Sequence, residues 1–303
     1  MPDLNHDLVR RIVREALEED GAFQDVTTLT TVPVDQHGRG VFLAKEAGVL
    51  AGLPVAAAAF AAVDPAIVVS NAVEDLPPGG RRTVITLRPG LHDGALLEPG
   101  TVIAHVEGPL APILSAERVA LNFLQRLSGV ATATKRLTEA VAGLPVRVVD
   151  TRKTTPGLRA LERYAVQVGG GQNHRFNLAD GVLIKDNHVA AGRARGLTLG
   201  QVIASARAGA PHTLRIEVEV TSFEEAREAV EAGADVILLD NMTPAEMQRC
   251  VAMIAGRALT EASGGITAEN ARAIAESGVD IISSGALTHS APALDISLEI
   301  EAS

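Results

Sequence analysis

The chain reads as an α/β protein in which a separate N-terminal α+β domain precedes an α/β barrel. Three observations carry this. From residue 146 onward, short runs rich in Val and Ile alternate with amphipathic stretches. Helix start and stop signals punctuate those stretches. Residues 22–120 lack this alternation and show short β-like segments between Pro/Gly turns.

The apolar runs of the second half are VRVVD (146–150), GVLIK (181–185), LRIEVEV (214–220), DVILLD (235–240), LTEAS (259–263) and VDIISS (279–284). Each suits a strand buried on both faces, the habit of parallel sheets. Between them, Thr198 with Gln201, Ser222 with Glu225, and Thr243 with Glu246 have capping-box spacing, and Pro244 takes the first helical position. Gly209, Gly233, Gly256 and Gly278 stand where helices should stop. Strand-to-strand spacing of about two dozen residues fits βα units. Six such units, with an unassigned stretch near His174-Arg175-Phe176, point to a closed barrel. The alternative is an open doubly wound sheet, but no glycine fingerprint follows a first strand.

The N-terminal part predicts at least four strands and one helix near 53–63, with turns at Pro77–Gly80, Pro89-Gly90, His92–Gly94 and Pro99-Gly100. Residues 1–20 read as an amphipathic charged helix, not a signal peptide. Residues 293–300 alternate like a strand and suit a return to the first domain.

Composition excludes several classes. With 47% hydrophobic and 21% charged residues the chain is globular, and with 2% aromatics and no Trp its core must be aliphatic. The longest uncharged run, 47–63, is mostly Ala and Gly with Pro54 inside, so it reads as a buried helix and not a membrane span. One cysteine, Cys250, forms no internal disulfide and fits a reducing, cytoplasmic location; it reads as a small packing residue. A net charge of −10 disfavours nucleic acid.

The charge is uneven, however. Between Arg147 and Lys185 stand seven cations and three acids, a local +4 that leaves −14 on the rest. Such an island suggests a small anionic ligand in a cleft. Arg159 and Arg163, four apart in a helical run, read instead as solvated helix-face charges.

In a βα barrel the reactive groups lie at the C-terminal strand ends. Those ends here are Asp150-Thr151-Arg152-Lys153, Lys185 to His188, Glu219, Asp240-Asn241, Ser263-Gly264-Gly265 and Ser284-Gly285-Ala286. Arg152, Lys153, Arg175 and Lys185 suit carboxylate or phosphate groups, Arg with two parallel hydrogen bonds. Glu219 and Asp240 suit sugar hydroxyls or Mg²⁺. The two late glycine turns suit phosphate, bound by backbone N–H groups. His174 and His188 could act as acid–base groups, although a lone histidine is more often structural. The chain has no P-loop, no H-E-x-x-H and no Cys/His metal spacing.

Two long stretches, 150–188 and 115–134, closely resemble quinolinate phosphoribosyltransferases. DVTT (25–28), EVEV (217–220), LLDNM (238–242), ASGGIT (262–267) and SSGALTHS (283–290) extend the likeness to nearly the whole chain. The resemblance implies an N-terminal α/β sandwich domain (1–121 with 290–303) and an incomplete, open-edged α/β barrel (122–289). It implies transfer of a phosphoribosyl group from phosphoribosyl pyrophosphate (PRPP) to quinolinate, with Mg²⁺ and no organic cofactor. It further implies a dimer in which Arg118 reaches the partner's site. Arg152, Arg175 and Lys185 would hold the substrate carboxylates, with Thr151 and His174 beside them. Lys153 would lie between quinolinate and pyrophosphate. Glu219 and Asp240 would take the ribose hydroxyls and metal, and Ser263–Gly265 and Ser284–Ala286 the phosphate. The rivals are a same-fold enzyme for another aromatic acid, a Schiff-base lyase using Lys153 or Lys185, and a non-catalytic PRPP sensor.

Overall fold

A computed structural model describes residues 4–64, 84–87 and 91–302. The expected turns at Pro77–Gly80 and Pro89-Gly90 lie outside the described residues.

The N-terminal helix forms as α1 (His6–Glu19), with Asn5 accepting the Leu8 amide as its cap and Val9, Ile12, Val13 and Leu17 buried along one face. Then come α2 (Val26–Thr31), β1 (His37–Ala44), β2 (Gly48–Val49), α3 (Leu53–Val63), β3 (Val84–Leu87), β4 (Leu96–Leu97), β5 (Val102–Pro109) and α4 (Leu110–Ala140). The uncharged run thus supplies a core helix as read, and no helix among the described residues is long and apolar enough to cross a membrane.

The six expected parallel strands all form: β6 (Arg147–Val149), β7 (Val182–Ile184), β8 (Ile216–Val220), β9 (Val236–Asp240), β10 (Leu259–Ser263) and β11 (Ile281–Ser283). Between and around them lie α5 (Arg159–Val168), α6 (Asp186–Arg193), α7 (Leu199–Gly209), α8 (Phe223–Glu231), α9 (Pro244–Ile254), α10 (Ala268–Ala275) and α11 (Ala286–His289). The chain ends in β12 (Ile296–Ala302).

Contacts divide the chain into two compact units: 1–133 with 155–170 and 291–303, and 134–154 with 171–290. The division falls inside α4, the same helix that holds the residues expected at the domain boundary, 121 and 122.

In the first unit, an antiparallel sheet runs β12-β1-β5-β3. The C-terminal segment therefore returns to β1, as its alternation suggested. Phe42 and Phe60 meet edge-to-face at 6.0 Å, inside a core mostly of Leu, Val, Ile and Ala. Glu162 on α5 has a fully buried side chain and accepts from both Arg126 nitrogens (3.1 and 2.7 Å) and from the Thr155 amide and hydroxyl. Arg163 is only 3% exposed, which overturns its reading as a solvated helix-face charge. A four-residue spacing identifies a helix face but not what packs on it.

The segment between α11 and β12 comes close to α4 at Gly129. A Cβ there would lie 1.9 Å from the Pro292 carbonyl oxygen and 3.1 Å from Ala293 Cα. Gly→Ala inside a helix ordinarily stabilises by up to ~1 kcal/mol. Here backbone faces backbone, so the sign reverses. Gly129→Ala should destabilise by roughly 1–3 kcal/mol, seen as a lower midpoint in thermal unfolding.

In the second unit the sheet order is β6-β11-β10-β9-β8-β7, parallel throughout. Among the described residues no ladder joins β6 to β7, so the barrel is open-edged as the resemblance implied, and not closed as the number of βα units alone suggested. The place beside β6 is taken by a single parallel bridge between Val149 and Gln172. Gln172 donates to the Val148 carbonyl, and Asp150 donates its N–H to the Gln172 carbonyl. The unassigned stretch therefore runs alongside the sheet but is too short and irregular to close it. Successive helices α6 to α10 pack one on the next.

The caps at Thr198 and Thr243 form in full. At Ser222 only half forms, because Glu225 turns back to the Thr221 amide instead. Thr267 and Asn270 make a further box for which no expectation existed. Cys250 is buried, as a packing residue should be.

Candidate active site

Register decides which strand residues share a face. Leu183 pairs with Glu217, Glu219 with Leu238, Glu261 with Leu238, and Ser263 with Asp240. Side chains alternate along a strand, so Lys185, Glu217, Glu219, Asp240, Glu261 and Ser263 lie on one side of the sheet. All the expected site residues except Arg118 belong to the second unit.

Arg152 and Lys153 follow β6. Lys153 donates its N–H to the Thr151 hydroxyl at 3.0 Å, and the Thr288 hydroxyl donates to the Lys153 carbonyl at 2.7 Å. One local bond and one from a residue far along the chain therefore fix the backbone that bears both cations. The stem of Lys153 passes over Gly285, where a Cβ would sit 2.9 Å from Lys153 Cδ. This brings Lys153 beside the Ser284–Ala286 turn. Ser284 itself is buried and donates its hydroxyl to the Ile266 carbonyl, tying this turn to the Gly264-Gly265 turn. What the turn can offer an anion is thus its backbone, not the Ser284 hydroxyl.

His174 and Arg175 arrive on the stretch that flanks β6. The buried Asp150 carboxylate accepts the His174 backbone N–H at 2.8 Å. Arg175 donates to the Gly181 carbonyl at 3.1 Å. Burial, and then the charge of Arg152, push the Arg175 guanidinium below its ordinary range. Two guanidiniums crowded in this way are relieved by an anion placed between them.

Lys185 Nζ lies 3.1 Å from Glu219 Oε2. His188 caps α6, its Nδ1 accepting the Lys185 N–H at 2.9 Å, so it has a structural use. Asn241 takes a left-handed conformation (φ 54°) and donates to Asp240 Oδ2 at 2.7 Å, orienting that carboxylate. Gly264 and Gly265 both have positive φ (96° and 59°), a backbone open to glycine and strained for other residues. Arg118 is exposed on α4 in the first unit.

Two acids absent from the expected set stand out. Glu217 and Glu261 are 6% and 1% exposed, and His174 Nε2 lies 3.2 Å from the first and 3.4 Å from the second. Among the described residues these three are the one group whose ligand atoms gather closely enough for a metal ion. The sequence held a signal for both. A charged residue inside a strand buried on both faces needs a partner, and Glu217 shares the parity of Glu219.

The family model described as "Quinolinate phosphoribosyl transferase, C-terminal domain" matches residues 130–299, and the model of the N-terminal domain matches 25–128. A relative named "Probable nicotinate-nucleotide pyrophosphorylase [carboxylating]" from Bacillus subtilis is 39% identical over 98% of this chain and 95% of its own. A crystal structure titled NadC from Streptococcus pyogenes superposes with a TM-score of 0.89 at 38% identity, covering 100% of both chains. The nicotinate-nucleotide pyrophosphorylase from Francisella tularensis gives 0.85 at 33% identity over 99% of this chain and 98% of that one. With both domain models matched in order along one chain, this protein belongs to the quinolinate phosphoribosyl transferase family.

Proposed function

We propose that the protein transfers the phosphoribosyl group of PRPP to quinolinate and releases CO₂ and pyrophosphate, giving nicotinate mononucleotide for de novo NAD synthesis. The observation that carries this reading is that Arg152, just after β6, lies near enough to Arg175 for its charge to push that guanidinium down, within a chain carrying −10 overall. A planar dicarboxylate can satisfy two such guanidiniums bidentately.

In the transfer, the quinolinate ring nitrogen forms a bond to the ribose anomeric carbon as the bond from that carbon to pyrophosphate breaks. The ribose passes through an oxocarbenium-like state, and fixed carboxylates at Glu219 and Asp240 suit it electrostatically. Lys153 lies beside the Ser284–Ala286 turn and would meet negative charge on pyrophosphate. The alkylated nitrogen is then cationic and accepts the electron pair left when the neighbouring carboxylate departs as CO₂; a proton takes its place on carbon. Arg152, Arg175, Lys185, His174 and Thr151 hold the aromatic acid. Ser263–Gly265 and Ser284–Ala286 bind phosphate.

Glu219 and Asp240 fit Mg²⁺. They offer hard oxygen ligands and, among the described residues, belong to no group of three protein ligands. That suits an ion which keeps water and phosphate oxygens in its shell. When bound, Mg²⁺ supplies neutralising charge to the departing pyrophosphate.

The active form is a homodimer in which Arg118 reaches into the second subunit's site. Support comes from its exposure and from the apolar residues Val26, Leu29 and Val34, which are 72%, 72% and 92% exposed on the same unit. The single cysteine suits a reducing cytoplasm.

Incubation of the pure protein with quinolinate, PRPP and Mg²⁺ should give equal amounts of nicotinate mononucleotide and CO₂. No product with any divalent metal would sink the proposal. Product from nicotinate but not quinolinate would favour the enzyme for another aromatic acid.

A further inference from the structure

We propose that Glu217 and Glu261 are positioning residues that clamp the His174 imidazole between two buried carboxylates, so that the site presents it to the substrate as a fixed cation. The inference rests on the transfer reading above, in which His174 adjoins the aromatic acid.

Arg152, Arg175 and Lys185 suit anions, yet two glutamates, Glu217 and Glu261, stand on the neighbouring strands β8 and β10. Both are sealed from solvent. Glu217 Oε1 accepts no hydrogen bond among the described residues, and Glu261 Oε2 is met by the His174 ring at 3.4 Å. A buried carboxylate without compensating charge is strongly unfavourable, and it would also repel the incoming dicarboxylate. Both problems vanish if their charge is spent on a cation already in the site.

The geometry supplies that cation. His174 Nε2 lies between the two carboxylates, at 3.2 Å from Glu217 Oε2 and 3.4 Å from Glu261 Oε2. The His174 backbone is held from a third direction, through its N–H to Asp150 at the end of β6. Glu217 also attracts Arg175, the next residue in the chain. The charged groups facing the ring are therefore Glu217 from β8 and Glu261 from β10, with Asp150 on its backbone and Arg175 beside it.

Energetics agree. Burial by itself would lower the His174 pKa, but the hydrogen bonds and charges of the two glutamates outweigh burial and raise it from 6.5 to about 10. The cause is geometric: two acids converge on one ring nitrogen. A folded-state pKa above the unfolded one favours folding most fully below about pH 6.5, and that contribution is lost as pH rises through about 10. Throughout the neutral range the ring stays charged.

An unclamped histidine would lose its charge near pH 6.5 and with it part of the grip on the second carboxylate. The test is a ring titration of His174 by NMR in the unliganded full-length protein, combined with calorimetric binding of phthalate, a non-reacting aromatic dicarboxylate. In the wild type His174 should remain charged to above pH 9, and the phthalate Kd should change less than threefold between pH 6.5 and 8.5. In Glu261→Gln and in Glu217→Gln the ring midpoint should fall into the neutral range, toward the unperturbed value of about 6.5. The Kd should then rise about tenfold over the same interval, while Glu261→Asp restores most of the wild-type profile.

A wild-type ring midpoint near 6.5 overturns the proposal, and that measurement needs no variant to fold. Glutamine variants that keep the wild-type pH profile overturn it as well. So does a stoichiometric divalent ion held by the three residues in the purified protein. Loss of transfer activity with an intact ring titration would count against the reaction and not against the clamp.

Discussion

Replacing Arg152 by alanine should lower kcat/KM for quinolinate by roughly 30- to 900-fold, the equivalent of ~2–4 kcal/mol for leaving a buried carboxylate without its partner. The structure also says what should not change. Arg152 repels Arg175, and this repulsion is one reason the Arg175 guanidinium is pushed below its ordinary range, after burial. Removing Arg152 relieves that strain in the unliganded protein. Thermal stability should therefore hold or rise while substrate use collapses. Arg152→Lys should rescue little, since a point charge cannot make two parallel bonds to one carboxylate. Steady-state kinetics and a melting curve on the same preparations check both halves. A fall in stability that matches the fall in activity would assign Arg152 to the fold.

Gly264→Ala should raise KM for PRPP about ten- to a hundredfold. Gly264 has φ 96°, and a Cβ there would meet Asn241 Oδ1 at 2.2 Å and the Asn241 backbone nitrogen at 3.0 Å. The side chain could swing away, but the backbone cannot. The Asn241 N–H also donates to the Ser263 carbonyl, and its amide donates to Asp240. One methyl group therefore disturbs both the proposed phosphate turn and the carboxylate proposed for the ribose. A shift of about 1 Å at such groups is enough for a loss of this size. Gly265→Ala is the control. Its φ is 59°, but its Cβ would meet open space. It should carry only the left-handed backbone strain of ~1–2 kcal/mol, with a smaller effect on KM. Equal effects from both substitutions would refute the role given to Asn241.

What could be read without coordinates was local. The six strands after residue 146 announce themselves because a strand buried on both faces must be a short apolar run. Thr198, Thr243 and Gly256 mark helix ends because caps bond within a few residues. The cations Arg152, Lys153, Arg175 and Lys185 were legible for the same reason, each lying at or near a strand end.

The remaining features depend on residues far apart in the chain. Sheet closure depends on whether the stretch around Gln172 can form a full ladder, and it makes only one bridge to Val149. Arg163 is buried through packing on α5, which helical spacing cannot reveal. The pairing of His174 with Glu217 and Glu261 needs the 172–175 stretch to lie beside β6 and the register of β8 and β10 to turn both acids inward. By itself, then, the sequence determined the element types, their order and the cationic strand ends, because these follow from periodicity and short-range hydrogen bonding. Only the tertiary structure decided which charges meet, because burial and Coulomb attraction act between groups that chain distance does not relate.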